Sequence, residues 1–155
     1  MSDLEQLYQQ IILDHSKRRN GEGLVDPEPG HSWGETHQHN PVCGDQIRLR
    51  VETVGESIQR ISWEGDGCSI SMASASVLVD LAAGETREEL VALAEQFRTV
   101  MRSRGSVEAD EEVLGDAAAF AGVSRFPARV KCAMLAWVAA EQALAAADAE
   151  GGQKG

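Results

Sequence analysis

The sequence predicts an α+β domain, in which a small antiparallel sheet of about three strands has its helices packed on one side. Apolar and polar residues alternate over residues 46–53, and a second alternating run covers residues 57–64. The turn sequence Val54-Gly55-Glu56 separates the two runs, so they are expected to pair as a β-hairpin. Apolar residues at helical spacing lie before and after this hairpin, which is typical of an α+β fold.

Five helices are predicted around the hairpin from their periodicity and their end signals. Ser2 and Glu5 form a capping-box sequence ahead of the first helix, and Thr86 and Glu89 form another ahead of the third. Ser71 is expected near the N-cap of the second helix, which packs closely on the sheet through its small residues. The predicted helices cover residues 3 to about 18, 71–84, 86 to about 102, 108–122 and 127 to about 147.

The segment between the first helix and the hairpin is the least regular part of the sequence. Residues 21–39 contain few apolar side chains, and we expect a long loop that wraps or covers the functional site. A third strand is expected either upstream of the hairpin or around residues 68–70. Ile58 is out of phase with Ile61 and Trp63, which predicts a β-bulge or a late start of the strand pairing.

Size and charge limit the class of protein. We expect residues 1–149 to form a single domain and residues 150–155 to form a disordered tail. The 25 acidic residues outnumber the 14 lysines and arginines and give a net charge of −11, so nucleic acid is not an expected partner. We find no signal-peptide pattern and no apolar run close to membrane-spanning length, and we therefore expect a cytoplasmic protein with no membrane partner.

The three cysteines and one aspartate form the candidate site. In a reducing compartment an odd number of cysteines favours metal binding or catalysis over a disulfide framework. The predicted hairpin brings Cys68 to the sheet end at which Cys43 and Asp45 begin the first strand, and Cys132 would complete a four-ligand set. Three thiolates and one carboxylate suit tetrahedral zinc or iron in a sulfide cluster. Spacing alone favours this site and separate buried thiols about equally.

Three neighbouring residues also bear on the site. Arg129 lies one turn before Cys132 on the predicted last helix, so the guanidinium and the thiol share a face. Arg129 is a candidate to steady the anionic site or to contact an acidic partner, and charge balance beside the ligands is its alternative role. His37 and His39 are weaker candidate ligands, because polar loops often contain histidines that bind no metal. A fully coordinated ion leaves no position for water, which disfavours a zinc hydrolase.

Three motifs, in order along the chain, resemble those of the SufU, IscU and NifU N-terminal group of iron–sulfur cluster assembly proteins. The motifs are NPVCGD at residues 40–45, GDGCSISMASAS at residues 65–76 and RFPARVKC at residues 125–132. Within this group the chain is similar to the SufU branch, because Lys131 stands where the scaffold branch carries a histidine. The predicted helix over residues 108–122 matches an insertion found in that branch.

The resemblance implies a zinc-dependent sulfurtransferase. Such a protein accepts persulfide sulfur from a SufS-type cysteine desulfurase and passes it to a SufBCD-type assembly complex. Cys43, Asp45, Cys68 and Cys132 match the zinc ligands of the group, and Cys43 matches its sulfur acceptor. Two alternatives remain open, namely an IscU-like scaffold on which the same residues hold a [2Fe–2S] cluster and a structural zinc module that only binds a partner.

Overall fold

The computed structural model describes residues 3–41 and 44–149. The prediction of a disordered tail at residues 150–155 lies outside this part of the chain. Helices and strands follow the order α1 (Asp3–Arg18), β1 (Ser32–Asn40), β2 (Asp45–Val54), β3 (Ser57–Asp66), α2 (Ser69–Ala82), α3 (Arg87–Arg102), α4 (Glu111–Leu114), a 3₁₀ helix (Gly115–Arg125) and α5 (Pro127–Ala149).

The three strands form an antiparallel sheet in the order β1-β2-β3, so β2 is central. Its alternation places Ile47, Leu49 and Val51 in the core, as the sequence pattern predicts. In the β2–β3 hairpin Glu52 pairs with Arg60, whereas Thr53 pairs with Ile58, so one additional residue of β3 is accommodated there. The predicted β-bulge is therefore confirmed.

The prediction of a loop throughout residues 21–39 is wrong, because residues 32–40 form strand β1. This is the third strand, and it lies upstream of the hairpin, which was one of the two expected places. Its sequence, SWGETHQHN, is polar and therefore lacks the apolar alternation by which strands are recognised. β1 is held by backbone pairing with β2 and by close contact with α5. Any Cβ at position 34 would overlap the carbonyl oxygen of Ala143, so only glycine lets the strand and the helix approach this closely.

The remaining loop, residues 19–31, lies against the sheet. The backbone amide of Trp63 donates to the carbonyl oxygen of Gly21, and the amide of Gly23 donates to the carbonyl oxygen of Trp63. The loop then crosses the outer face of the sheet, where the amide of Glu28 donates to the carboxylate of Glu52. Within the described part of the chain, the contacts of this loop thus cover the sheet and not Asp45, Cys68 or Cys132, which differs from the expectation that it wraps the site.

The helices gather on the inner face of the sheet, as predicted. α5 packs on β1 and β2, α2 packs on β3 and α5, and α1 packs on α2. α3 adds an aromatic contact, since Phe97 stacks on Trp137 with ring centroids 4.5 Å apart. The expected fourth helix is shorter than predicted, because α4 spans four residues and the following segment is a 3₁₀ helix.

Helix α5 differs from the expectation that no apolar run approaches membrane-spanning length. By length and composition alone its residues Pro127–Asp148 could cross a membrane, whereas we expected no apolar run of that length. Of the tested window, 56% is buried inside the protein, against the sheet and the neighbouring helices. A helix that is apolar on several faces is also what the core of a domain requires.

Candidate metal centre

Three of the four predicted ligand residues come together at one end of the sheet. Asp45 is the first residue of β2, Cys68 is the N-cap of α2 directly after β3, and Cys132 lies in the second turn of α5. The antiparallel register places the start of β2 beside the end of β3, since Gln46 pairs with Asp66. One carboxylate oxygen and the two sulfur atoms all lie within 4.8 Å of one another.

Cys43, the fourth predicted ligand and the predicted sulfur acceptor, lies outside the described residues. Beside it, the amide of Gly44 donates to the carbonyl oxygen of Asn40 at 2.8 Å, and Gly44 adopts a positive φ of 74°. A positive φ is readily adopted only by glycine, which explains the glycine of the first motif.

Asp45 is the centre of the hydrogen bonds at this end of the sheet. Its side chain is fully buried, and its oxygen Oδ1 accepts from the backbone amide of Cys68 at 2.9 Å. Oδ2 accepts from the hydroxyl of Ser71 at 2.5 Å and lies 3.7 Å from the sulfur of Cys68. Burial alone would raise the pKa of Asp45, but these hydrogen bonds and one from Cys132 outweigh it and hold the pKa below its ordinary value.

The two sulfur atoms differ in exposure. Cys68 is partly buried and Cys132 is buried, and neither is in a disulfide. The side-chain amide of Asn40 approaches the sulfur of Cys132 at 4.0 Å, the outer limit for a hydrogen bond to sulfur. Asn40, from the first motif, therefore contacts the cysteine of the third.

The donor set fits a tetrahedral metal ion. With zinc–sulfur and zinc–oxygen distances of about 2.3 and 2.0 Å, a sulfur and an oxygen in one tetrahedron lie about 3.5 Å apart. The distance between the sulfur of Cys68 and Oδ2 of Asp45 is 3.7 Å, so these two atoms already lie close to the required spacing. Two soft sulfur donors and one carboxylate oxygen are ligands that zinc accepts.

Ser71 and Gly67 contribute to this arrangement in ways that the sequence analysis did not foresee. Ser71 was predicted as a helix cap, but Cys68 is the N-cap of α2 and the hydroxyl of Ser71 binds Asp45. A Cβ at Gly67 would lie only 2.5 Å from Oδ1 of Asp45, so the carboxylate fills the space that a side chain would occupy. A glycine directly before the candidate ligand Cys68 was the one available signal of this close approach.

Arg129 lies in the first turn of α5, and its side chain is exposed. It lines a surface groove between α1 and the 3₁₀ helix, together with Ile70 and Phe126. Ile70 lies two residues after Cys68, and Arg129 lies three residues before Cys132, so the groove is lined by residues close in sequence to two candidate ligands.

A second group of ionisable residues lies on the outer face of the sheet. Glu52 is 2% exposed, its Oε2 lies 2.5 Å from Nδ1 of His31, and it also accepts from the amide of Glu28 at 3.0 Å. Arg60 places a guanidinium nitrogen 3.7 Å from Oε1 of the same carboxylate. The cationic guanidinium of Arg60 compensates the negative charge of Glu52. No motif or periodicity in the sequence predicted this cluster.

The two weaker candidate ligands lie elsewhere. Nε2 of His37, in β1, is 3.1 Å from the side-chain oxygen of Gln46, in β2, and both side chains are exposed. Among the described residues, the groups of side chains close enough to share a metal ion include neither His37 nor His39.

Comparisons with known proteins agree with the fold and with the motifs. The family described as NifU-like N terminal domain matches residues 7–133. The zinc-dependent sulfurtransferase SufU of Bacillus subtilis is 38% identical over 145 residues, which cover 93% of each chain. The iron–sulfur cluster assembly scaffold protein IscU of Streptococcus pyogenes serotype M1 is 38% identical over 144 residues, which cover 93% of this chain and 86% of that protein.

Solved structures share the same architecture. A protein of Fervidobacterium islandicum, described as a candidate iron–sulfur cluster assembly scaffold protein for the SUF system, is 31% identical with a TM-score of 0.76. The alignment covers 90% of this chain and 98% of that one. The N-terminal part of a NifU-like protein from Brucella abortus has a TM-score of 0.79 at 21% identity, covers 96% and 99% of the two chains, and supports the fold alone.

Proposed function

The chain belongs to the NifU-like N-terminal domain family, and on this premise we propose that it is a zinc-dependent sulfurtransferase of iron–sulfur cluster assembly. It accepts persulfide sulfur from a SufS-type cysteine desulfurase and passes it to a SufBCD-type assembly complex. The observation that carries the proposal is the convergence of Asp45, Cys68 and Cys132, whose donor atoms lie within 4.8 Å of one another. The match to the B. subtilis sulfurtransferase over 93% of the chain supports the same reading.

The proposed zinc ligands are Cys43, Asp45, Cys68 and Cys132. When bound, zinc keeps cysteine ligands ionised at neutral pH, where a free thiol with a pKa of about 8.5 is largely protonated. Asp45 is the one hard ligand in this set and therefore the ligand most readily exchanged. Its bonds to Ser71 and to the amide of Cys68 hold it in place without a metal.

The proposed transfer step is a thiol–persulfide exchange. The thiolate of Cys43 attacks the outer sulfur of the desulfurase persulfide, a new S–S bond forms on Cys43, and the desulfurase cysteine leaves as a thiolate. No external oxidant or reductant is required, because one S–S bond replaces another. The exchange needs reduced thiols, and for this reason we place the protein in the cytoplasm.

Arg129 is the proposed partner-facing residue. It is exposed and lies one helical turn before Cys132, so its guanidinium can meet a carboxylate of the desulfurase or the anionic persulfide itself. Arg129→Ala should weaken stimulation of the desulfurase while zinc content stays at the wild-type level. Arg102→Ala, at the last residue of α3, is the control for loss of a surface arginine.

The decisive experiment measures whether stoichiometric addition of this protein accelerates a cognate cysteine desulfurase. We expect acceleration that disappears after zinc removal and in Cys43→Ala. Mass spectrometry after incubation with desulfurase and cysteine should find one added sulfur on Cys43. Normal stimulation by Cys43→Ala would overturn the assignment of the acceptor.

A second candidate function is a scaffold that holds a [2Fe–2S] cluster. It is favoured by the 38% identity to the S. pyogenes scaffold protein over 93% of the chain, and the same ligands would serve it. One tightly bound zinc and no visible absorption favour transfer, whereas a brown cluster that survives reconstitution and gel filtration favours scaffolding. Tight zinc without any persulfide on Cys43 would leave only a structural zinc module.

A further inference from the structure

Ser71 makes the shortest contact at the candidate metal centre. Its hydroxyl oxygen lies 2.5 Å from Oδ2 of Asp45, and both residues are buried, with Ser71 1% exposed. The same hydroxyl is 3.6 Å from the sulfur of Cys68. A serine hydroxyl carries one proton, and the shorter distance assigns that proton to the carboxylate.

The two oxygens of Asp45 have different surroundings. Oδ1 accepts from the backbone amide of Cys68, and it lies against Gly67 so closely that a Cβ there would be 2.5 Å away. Oδ2 accepts from Ser71 and lies 3.7 Å from the sulfur of Cys68, which is close to the spacing of a tetrahedral edge. A carboxylate oxygen has two lone-pair directions, so Oδ2 can accept from Ser71 and still bind a metal ion.

We infer that Ser71 is a positioning residue that presents a single oxygen of Asp45, Oδ2, to the metal. The backbone amide of Cys68 binds the other oxygen, Oδ1, so Asp45 presents Oδ2 as its metal ligand. Single-oxygen binding keeps the site four-coordinate, as a tetrahedral ion requires. This inference rests on the proposed metal site, and it adds a residue that does not itself bind the metal.

Two other buried serines on α2 provide the internal comparison. Ser74 donates to the carbonyl oxygen of Ala133 at 2.6 Å and accepts from the indole of Trp137 at 3.0 Å. Ser76 lies 2.7 Å from Nδ1 of His15. Both serines join helices to one another, and of the three only Ser71 bonds to a predicted ligand. Ser74→Ala is therefore a matched control for the loss of a buried hydroxyl from this helix.

The test measures zinc affinity by competition with a chromophoric chelator, together with the visible spectrum of the cobalt-substituted protein. Ser71→Ala should bind zinc ~10- to 100-fold more weakly, as is usual when a residue that orients a metal ligand is removed. Its cobalt spectrum should differ from that of the wild type, because the carboxylate is no longer held in one orientation. Ser74→Ala should keep wild-type affinity and spectrum.

A double-mutant cycle with Asp45→Ala separates positioning from general structural support. If Ser71 acts through Asp45, adding Ser71→Ala to Asp45→Ala should weaken zinc binding no further. Ser71→Thr retains a hydroxyl and should bind zinc more tightly than Ser71→Ala. If Ser71→Ala does not fold, Ser71→Thr still allows comparison with the wild type. Equal losses of zinc affinity in Ser71→Ala and Ser71→Thr would contradict a role for the hydroxyl.

The outcomes distinguish this inference from the proposed function. Wild-type affinity and spectrum in Ser71→Ala, equal losses in Ser71→Ala and Ser74→Ala, or additive losses in the double variant would overturn the role of Ser71 and leave the metal site standing. Absence of tight zinc from the wild-type protein would overturn the metal site and the role of Ser71 together.

Discussion

Strand β2 carries two buried carboxylates whose surroundings differ. Asp45, at the start of the strand, is on the inner face with Ile47, and its side-chain contacts are Ser71, the amide of Cys68 and cysteine sulfurs. Glu52, seven residues later, is on the outer face and contacts His31 and the guanidinium of Arg60. Both residues are almost completely inaccessible, at 0% and 2% exposure.

The difference shows how one strand separates a proposed metal site from a structural ion pair. A buried carboxylate needs a compensating positive charge or several hydrogen bonds. Glu52 has a guanidinium from the protein itself, whereas among the described residues no ion pair within 4.0 Å involves Asp45. Asp45 is compensated instead by hydrogen bonds from Ser71 and the amide of Cys68, and the thiols beside it suit the metal ion that we propose for this end of the sheet.

Loss of the Cys132 thiol beside Asp45 should lower the free energy of unfolding in zinc more than any other change considered. If free zinc is present at about 1,000 times its dissociation constant, binding stabilises the folded state by about 4 kcal/mol. Cys132→Ser should lose most of this gain, because the buried sulfur of Cys132 is replaced by a poorer zinc ligand. Denaturant unfolding with and without zinc measures the gain. Glu52→Gln should keep the full gain, and retention of it by Cys132→Ser would contradict the metal assignment.

Removal of Glu52 should damage folding and leave metal binding intact. Glu52→Ala leaves the amide of Glu28, His31 and Arg60 without their shared acceptor, and leaving a buried donor without a partner costs about 1–3 kcal/mol. Denaturant unfolding of the metal-free protein should show this loss, while zinc stoichiometry stays unchanged. Asp45→Ala should show the reverse, namely loss of tight zinc with a smaller loss of metal-free stability. Zinc loss in Glu52→Ala would contradict the separation of the two regions.

A side chain that crowds Asp45 should reduce zinc affinity by an intermediate amount. Gly67→Ala places a methyl group where Oδ1 of Asp45 now lies, so the carboxylate must move. We expect zinc affinity to fall roughly 10-fold, the size of effect seen when a metal ligand is misoriented. Gly122→Ala is the control, because a Cβ there has open space. Equal zinc affinity in both variants, measured by chelator competition, would show that the position of Oδ1 does not matter.

The smallest expected effect is a pH dependence on the outer face. Burial alone would raise the pKa of Glu35, but Arg50 and Arg48 outweigh it and lower the pKa below its ordinary value. A carboxylate with a lowered pKa in the folded state stabilises the protein above its unfolded pKa, and this stabilisation is lost as the pH falls through the folded pKa. Glu35→Gln should therefore reduce stability at neutral pH by less than about 1 kcal/mol. The difference from the wild type should vanish in acid, and a constant difference across the pH range would contradict this cause.

The regular parts of the fold could be predicted from the sequence, because their signals are local. The first helix, the hairpin with its bulge and the capping box of Thr86 and Glu89 follow from periodicity and end signals within a few residues. β1 could not be predicted in this way. Its residues are polar, and it is a strand because β2 offers a partner and α5 closes over Gly34.

The candidate site was predictable in part. The motifs named Asp45, Cys68 and Cys132, and the structure brings them together, whereas Cys43 lies outside the described residues. From the sequence, Ser71 was predicted to cap a helix, because serine near the start of a helix is commonly an N-cap. Its contact with Asp45, 26 residues earlier in the chain, depends on how α2 is seated against the start of β2.

By itself the sequence determined the kinds of donor atom present and the helices and hairpin that carry them, since side-chain chemistry and local backbone preferences depend on near neighbours. Only the tertiary structure decided which buried carboxylate receives a guanidinium and which is left among thiols. Asp45 and Glu52 lie on one strand, but strand pairing turns them to opposite faces, and partners from distant segments then supply a different environment to each.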